Sequence, residues 1–191
     1  LLKDPGSDAW VKVLSSSDCK YSFEPQAIPC SVTWRRNMPN TLPIPDGFMV
    51  KTGEENEVLV LLEPEDFLKR IFSLTQSFVN DPSASQPDLS QVLPLANLEG
   101  SSTKAYSLAV VGLDAYRHNQ EQSKKQALSH GMQSPSSQPG SELALTQEEI
   151  LEALAVLQLW GNIDVQFLDT WQDFGEHVFA LTKAIAKRPY R

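Results

Sequence analysis

The chain contains few of the residues that build disulfides and metal sites. Its 191 residues include two cysteines, Cys19 and Cys30, and three histidines, His118, His130 and His177. Two cysteines are too few for a disulfide framework and lack the paired spacing of a zinc site, so we expect buried free thiols in or beside strands. Because no histidine has a second histidine at a metal-binding spacing, we assign no metal and no other cofactor to this chain.

Long apolar runs and an excess of positive charge are also missing. No stretch approaches the roughly 18 consecutive apolar residues that cross a bilayer. Sixteen Lys and Arg residues against 24 Asp and Glu residues give a net charge of −8. Since phosphate contacts need clustered Lys and Arg, we expect any contact with DNA to be local or to be supplied by a partner. The sequence also has no glycine-rich phosphate loop, nucleophile elbow or kinase signature.

What the sequence does contain is an alternation of strand and helix patterns. The continuous apolar run 58–62 is typical of a strand that is covered on both faces, as in parallel sheets. The predicted strands are 20–24, 31–36, 58–62, 106–113 and 164–168. One predicted helix ends near residue 15, and the others span 67–75, 150–160 and 170–187. This alternation predicts one α/β domain over residues 1–191, with a mostly parallel central sheet flanked by helices.

Helix boundaries and loops have their own signals. Thr146 and Glu149 form the pattern of a capping box, and Gly161 is placed to end the same helix. Proline, glycine and polar residues predict a loop over 37–55. The polar segment 118–141 has almost no large apolar side chains and cannot bury enough surface to offset its ordering entropy. We therefore predict that this segment is a disordered insertion.

Four carboxylates follow predicted strands. Glu63, Glu65 and Asp66 come directly after one apolar run, and Asp114 follows another. Because open α/β sheets usually place their sites at such strand ends, one interpretation is a displaced metal site of an active hydrolase. The other is that Glu65 and Asp66 belong to the first turn of a helix, where negative charge is stabilised.

Basic residues occur at two places that could meet a phosphate backbone. Arg35 and Arg36 are neighbours on a predicted strand, and arginine binds phosphate in a bidentate manner. They point to opposite faces, so only one of them faces a given groove. Lys183, Lys187 and Arg188 cluster near the end of the last helix, where positive charge also complements the helix dipole without any ligand. We take these five residues as candidate DNA-binding residues.

The last two predicted helices are apolar over more than one face. A sheet covers one face of a helix, so two wide apolar faces indicate that a partner subunit covers the remainder. Core packing is the alternative for each position. The candidate partner-interface residues are Leu154, Leu157, Trp160, Trp171, Val178, Leu181 and Ile185.

Four stretches of the sequence resemble one family of proteins. They are residues 21–36, 57–71, 108–116 and 148–190, and the segments 157–165, 170–172 and 182–184 are the most specific of them. Together they look like the Eme family of vertebrates, the non-catalytic partners of the Mus-type XPF-family endonuclease.

The resemblance also identifies what this chain lacks. In the catalytic XPF-type nucleases, a strand like 58–62 ends on a Glu-Arg-Lys triplet that holds the metal and the scissile phosphate. Here the triplet falls on Val60, Leu61 and Leu62. Three aliphatic side chains offer no metal ligand, no charge for a phosphate oxygen and no base. We expect no catalytic residues in this chain.

The resemblance implies a degenerate restriction-endonuclease-like fold of the XPF type, with the first strand and a tandem helix-hairpin-helix domain outside this sequence. It implies a heterodimer with a Mus-type catalytic subunit, which would bind Mg²⁺ and cleave branched DNA such as 3′ flaps, replication forks and nicked Holliday junctions. Such a complex would act in nuclear DNA repair and recombination, including meiosis. The choice between the two vertebrate paralogues stays open, as do two rivals: the active hydrolase and a protein-interaction scaffold without a DNA role.

Overall fold

The computed structural model describes residues 6–38, 51–80, 89–93, 103–129 and 145–189. Within these ranges the strands are β1 (Ser31–Met38), β2 (Lys51–Leu62), β3 (Ala105–Val111) and β4 (Asp164–Leu168). The helices are α1 (Asp8–Ser16), α2 (Pro64–Asn80), α3 (Leu113–Ser129), α4 (Gln147–Gly161) and α5 (Trp171–Ala186), and a short 3-10 turn occupies Leu89–Gln91.

The strands form one sheet in the order β1-β2-β3-β4. β1 runs antiparallel to β2, with Ser31 opposite Val60. β2 pairs in parallel with β3, where Val60 lies opposite Leu108, and β3 pairs in parallel with β4. The predicted α/β fold with a mostly parallel central sheet flanked by helices is confirmed.

Alternating side chains of β2 pack into two separate cores, one on each face of the sheet. Val58, Val60 and Leu62 are buried on one face of the sheet, in a cluster that includes side chains of α2 and α4. Leu59 is buried on the other face, with side chains of α1 and α5. Because successive strand residues point to opposite faces, a continuous apolar run is what a sheet covered on both faces requires.

The two helices nearest the C-terminus both begin with capping boxes. The backbone N–H of Thr146 donates to Glu149 Oε2 at 2.7 Å, and the N–H of Glu149 donates to Thr146 Oγ1 at 3.2 Å. Thr170 and Asp173 repeat the arrangement at the start of α5, at 3.0 and 3.1 Å. These bonds confirm the capping box predicted at residue 146. The motif could be predicted from the sequence because it depends on residues only three apart.

The end of α4 differs in detail from the prediction. Gly161 is the last residue of the helix, whereas Asn162 adopts the left-handed conformation with φ of 49°. A Cβ on Gly161 would lie 2.7 Å from Leu89 Cδ1. This carbon is the end of a flexible side chain, so the contact alone does not require glycine. Asparagine, which tolerates positive φ, ends the helix.

One predicted strand and the bounds of one predicted loop are wrong. Residues 20–24 form no strand, and Tyr21 and Phe23 are instead 45% and 67% exposed. Their rings stack edge-on 5.8 Å apart, and that of Phe23 lies 6.2 Å from Trp10. The predicted loop 37–55 is also too long, since β1 continues to residue 38 and β2 begins at residue 51 in a long antiparallel ladder; residues 39–50 lie outside the described part.

The prediction of a disordered insertion is wrong for its first half. Residues 118–129 belong to α3, and residues 130–141 lie outside the described part of the chain. Arg117 of α3 donates to Gln147 Oε1 at 2.8 Å, which joins α3 to the start of α4. The low apolar content of this segment limits how much it buries, but Gln, Lys, Glu and Ala are all good helix formers.

Candidate functional site

The end of β2 lies deep in the fold and carries no polar side chain. Val60 is 2% exposed and Leu62 is 5% exposed. Leu61, on the opposite face, packs against the cluster formed with α1 and α5. The three positions at which we expected the nuclease triplet therefore contribute apolar packing to both cores.

Two of the three acidic residues that follow this strand, Glu65 and Asp66, are engaged in ion pairs within α2. Lys69 Nζ lies 2.6 Å from Glu65 Oε1, and Arg70 Nη2 lies 2.9 Å from Asp66 Oδ2. The hydrogen bond to Glu65 raises the pKa of Lys69. Both pairs have the i, i+4 spacing that links neighbouring helix turns, which agrees with the reading of these acids as part of a first helical turn.

The remaining acids do not complete a metal site. Asp114 lies in the first turn of α3 and is exposed. In the described ranges, no group of three or more His, Cys, Asp and Glu residues is placed to hold a metal ion. The residues at the end of β2 thus do not fit the Mg²⁺ site of a nuclease, which needs several oxygen ligands converging on one point.

A cavity of about 800 Å³ lies beside the end of β2. Its lining includes Val60 and Leu62, the acidic residues that begin α2, and Trp171 from the start of α5. Cys30, directly before β1, also lines it with a positive φ of 61°. Burial raises the pKa of this thiol. Cys30 and Cys19 are both free, but they are half-buried rather than buried as expected.

Arg35 is held by an acidic neighbour on the surface. Its guanidinium donates to both carboxylate oxygens of Glu24, at 2.7 and 3.3 Å. This bidentate pair raises the pKa of Arg35 and lowers the pKa of Glu24. Because both side chains are exposed, at 50% and 40%, the pair is weak and Arg35 remains available for exchange with another anion.

Arg36 has a structural position. Its side chain is only 13% exposed and lies 2.8 Å from Glu55 Oε1. It also donates to the carbonyl oxygen of Arg188 at 2.7 Å and to that of Ile185. Arg36 therefore attaches β1 to the C-terminal end of α5, where unpaired helix carbonyls attract cations. Its prediction as a phosphate contact is not supported by this geometry.

The other predicted DNA-binding residues lie at the same end of α5. Arg188 is paired with Glu57, which raises the pKa of Arg188. Lys183 Nζ lies 4.2 Å from the centre of the Phe179 ring, and Lys187 is exposed directly after the helix. Lys183, Lys187 and Arg188 are all exposed.

The predicted partner-interface residues separate into two groups. Leu157, Val178 and Ile185 are 0%, 3% and 4% exposed and belong to the domain's own cores. Their assignment to a partner interface is wrong, because the sheet already covers them. Leu154, Trp171 and Leu181 are half-buried, and Trp160 is 54% exposed.

The exposed apolar surface of α4 includes residues that the prediction did not select. Leu159 is 80% exposed and Leu151 is 55% exposed. With Ala155 they form one i, i+4 row, and Val156 and Trp160 form the next row. We refer to these five residues as the α4 patch. The signal in the sequence was the apolar composition all around this helix, which no single core face requires.

Comparisons with known proteins match the chain to one family and to subunits of structure-specific endonucleases. The ERCC4 domain family matches residues 4–181. The chain is 36% identical over 193 residues to the structure-specific endonuclease subunit EME2 of Homo sapiens, covering 100% of the chain and 47% of that protein. It is 34% identical over 198 residues to the EME2 subunit of Xenopus tropicalis, with 100% and 39% covered. For the EME1 subunit of Homo sapiens, identity is 28% over 198 residues, with 100% and 33% covered.

The chain spans less than half the length of these relatives. Identity is higher to the two EME2 subunits than to the EME1 subunit. None of the helices in the described ranges is both long enough and apolar enough to pass through a membrane.

Proposed function

Because the chain belongs to the ERCC4 domain family, we propose that it is the non-catalytic subunit of a heterodimeric structure-specific endonuclease. The resemblance to Eme subunits predicted from the sequence is confirmed by relatives that match the chain along its full length. The observation that carries the non-catalytic role is the strand end at Val60, Leu61 and Leu62, where packing has replaced the charged triplet.

In this proposal the chemistry belongs to the partner. A Mus-type catalytic subunit holds Mg²⁺ and cleaves branched DNA such as 3′ flaps, replication forks and nicked Holliday junctions, in DNA repair and recombination in the nucleus. The present chain stabilises that subunit and helps to position the substrate.

The α4 patch is the surface that we assign to the catalytic subunit. Large apolar side chains such as Leu159 and Trp160 are costly to expose together, and such clusters mark protein-protein contacts. A tryptophan within the patch supplies the kind of large anchor that dominates interface energies. The half-buried Leu154 lies on the same helix and extends this contact toward the core.

Contact with DNA is proposed at the end of α5. Lys183 and Lys187 lie on exposed surface, and Arg35 is held only by an exposed ion pair. A few cations on a chain with a net charge of −8 give weak, salt-sensitive contact. This arrangement fits a subunit that guides DNA while the partner provides most of the affinity.

The test is cleavage of a 3′-flap substrate by the purified chain, by the catalytic subunit and by their complex, each with Mg²⁺. We expect cleavage only when the catalytic subunit is present, and more of it in the complex. Metal-dependent cleavage by this chain alone, abolished by Glu63→Gln or Asp66→Asn, would instead establish the displaced acidic site.

The scaffold alternative draws support from one observation, the engagement of Arg35 and Arg36 by carboxylates and carbonyl oxygens. It predicts that replacing Lys183 and Lys187 together by Gln leaves the affinity of the complex for flap DNA unchanged. Our proposal predicts weaker binding and a smaller dependence of that affinity on salt concentration.

A further inference from the structure

The cavity beside the end of β2 has the size and lining of a ligand pocket. Its volume of about 800 Å³ falls in the range of about 300–1,000 Å³ that is usual for such pockets. Val60 and Leu62 form a buried apolar floor. The lining also includes several apolar or aromatic side chains that are only half-buried, namely Ile28, Leu61, Val111, Tyr116 and Trp171. Covering them with an apolar group removes their remaining surface from water, which is favourable.

Charged groups surround the same cavity. Glu63, Glu65 and Asp66 face two cations, Lys69 and Arg70, so the described residues of the lining carry one net negative charge. The two cations are already bonded to Glu65 and Asp66, at 2.6 and 2.9 Å. Among the described residues, no hydrogen bond or ion pair engages the exposed Glu63 carboxylate. The lining therefore favours a cation and disfavours a phosphate group.

We propose that this cavity binds a short peptide segment of another protein, one that presents an apolar side chain followed by Lys or Arg. The apolar side chain enters the cavity above Val60 and Leu62, and the adjacent cation reaches Glu63. A peptide supplies both groups on neighbouring residues, whereas nucleic acid supplies phosphate to a cavity with a net negative lining. This role does not depend on the activity of the endonuclease complex.

The test uses two synthetic peptides, acetylated and amidated: Ser-Leu-Arg-Ser and Ser-Leu-Glu-Ser. Each is titrated into the ¹⁵N-labelled chain, and NMR follows the indole N–H of Trp171 and the backbone amides of residues 61–66. We expect saturable shifts at these groups and an affinity about fivefold higher for the arginine peptide, which is the effect of one partly exposed ion pair.

Charge reversal provides the control. Glu63→Lys should reverse the preference, so that the glutamate peptide binds more tightly than the arginine peptide. Glu121→Lys makes the same change of charge on the exposed surface of α3, away from the cavity lining, and should leave the preference intact. Glu63→Gln, which retains the shape of the side chain, should remove the preference without reversing it, and circular dichroism checks that each variant is folded.

Three results would overturn the proposal. The first is equal affinity for the two peptides, the second is a preference that survives Glu63→Lys, and the third is a set of shifts that lie away from the cavity. Inorganic phosphate is titrated in parallel. Saturable phosphate shifts at residues 61–66 that compete with the arginine peptide would assign the cavity to anions instead.

Discussion

α4 and α5 are both rich in apolar residues, yet they use them differently. In α5 the large apolar residues Phe174, Val178 and Ile185, spaced by four and seven positions, are buried in one core. In α4 a buried stripe that includes Leu157 coexists with apolar residues on the opposite side, of which Leu159 is 80% exposed.

This difference indicates where an interface is visible in a sequence. A helical stripe of period 3.6 is explained by the domain's own sheet, so its members are poor candidates for contact with a partner. In α4, apolar residues that lie off this stripe, such as Leu151 and Leu159, are exposed. The interface prediction included buried stripe residues of both helices. It omitted Leu151 and Leu159, although these two residues are exposed.

The largest expected effect tests whether the buried stripe of α5 belongs to the domain core or to a partner interface. Val178→Asp places a charge in a core position that is 3% exposed, without a counter-charge. We expect the free energy of unfolding to fall by about 3 kcal/mol or more, measured by urea denaturation of the isolated chain. Ala180→Asp makes the comparable change two residues along α5 at an exposed position, and we expect a loss below about 1 kcal/mol. If the Val178→Asp chain has normal stability but no longer binds the catalytic subunit, the stripe is part of the interface and not of the core.

The next effect tests how closely α5 packs against its own domain. A Cβ on Gly175 would lie 2.9 Å from both the Cα and the carbonyl oxygen of Trp10, and 2.9 Å from Val13 Cβ. Two of these three neighbours are backbone atoms, so Gly175→Ala should force α1 and α5 apart and destabilise the fold by about 1–3 kcal/mol. In an open helix the same change would stabilise the protein by about 1 kcal/mol. The sign of the change in melting temperature therefore decides whether the two helices are in close contact.

A matched pair of substitutions tests the exposed side of α4. Ala155→Asp places a charge within the α4 patch, and Ala180→Asp places one on the exposed surface of α5. Both lose similar helix propensity, so their melting temperatures should be similar. We expect Ala155→Asp to weaken binding to the catalytic subunit by about tenfold or more, as measured by calorimetry, and Ala180→Asp to leave it unchanged. Equal affinity of both variants would remove the patch from the interface.

Local signals allowed much of this fold to be predicted. The capping box at Thr146 and Glu149 depends on neighbouring residues, and the apolar run 58–62 specifies a strand covered on both faces by itself. Residues 20–24 have a strand-like composition, but a strand also needs a hydrogen-bonded neighbour, which composition does not reveal. The low apolar content of residues 118–129 limits how much surface they bury but does not exclude a helix, which is why the prediction of disorder is wrong there.

The site was harder to predict because its contacts join distant parts of the chain. Arg36 donates to the carbonyl oxygens of Ile185 and Arg188, which lie about 150 positions away in the sequence. No spacing rule connects a strand residue to the end of a helix at that distance. The absence of charged side chains at the end of β2, in contrast, was visible directly in the residue types, because the side chains of Val60, Leu61 and Leu62 are aliphatic.

The smallest expected effect is a dependence of stability on pH. It compares His177, which is half-buried on α5, with His118, which is exposed on α3. His177 is half-buried beside Val178, and burial lowers its pKa below the usual value of 6.5. A histidine with a lowered pKa in the folded state takes up its proton more readily when unfolded, so the protein should lose stability as the pH falls through 6.5 toward the folded-state pKa. His177→Gln should reduce this dependence in urea denaturation at a series of pH values. His118→Gln, on the exposed surface of α3, should leave it unchanged, and identical pH profiles for wild type and His177→Gln would show that burial at this position does not oppose protonation.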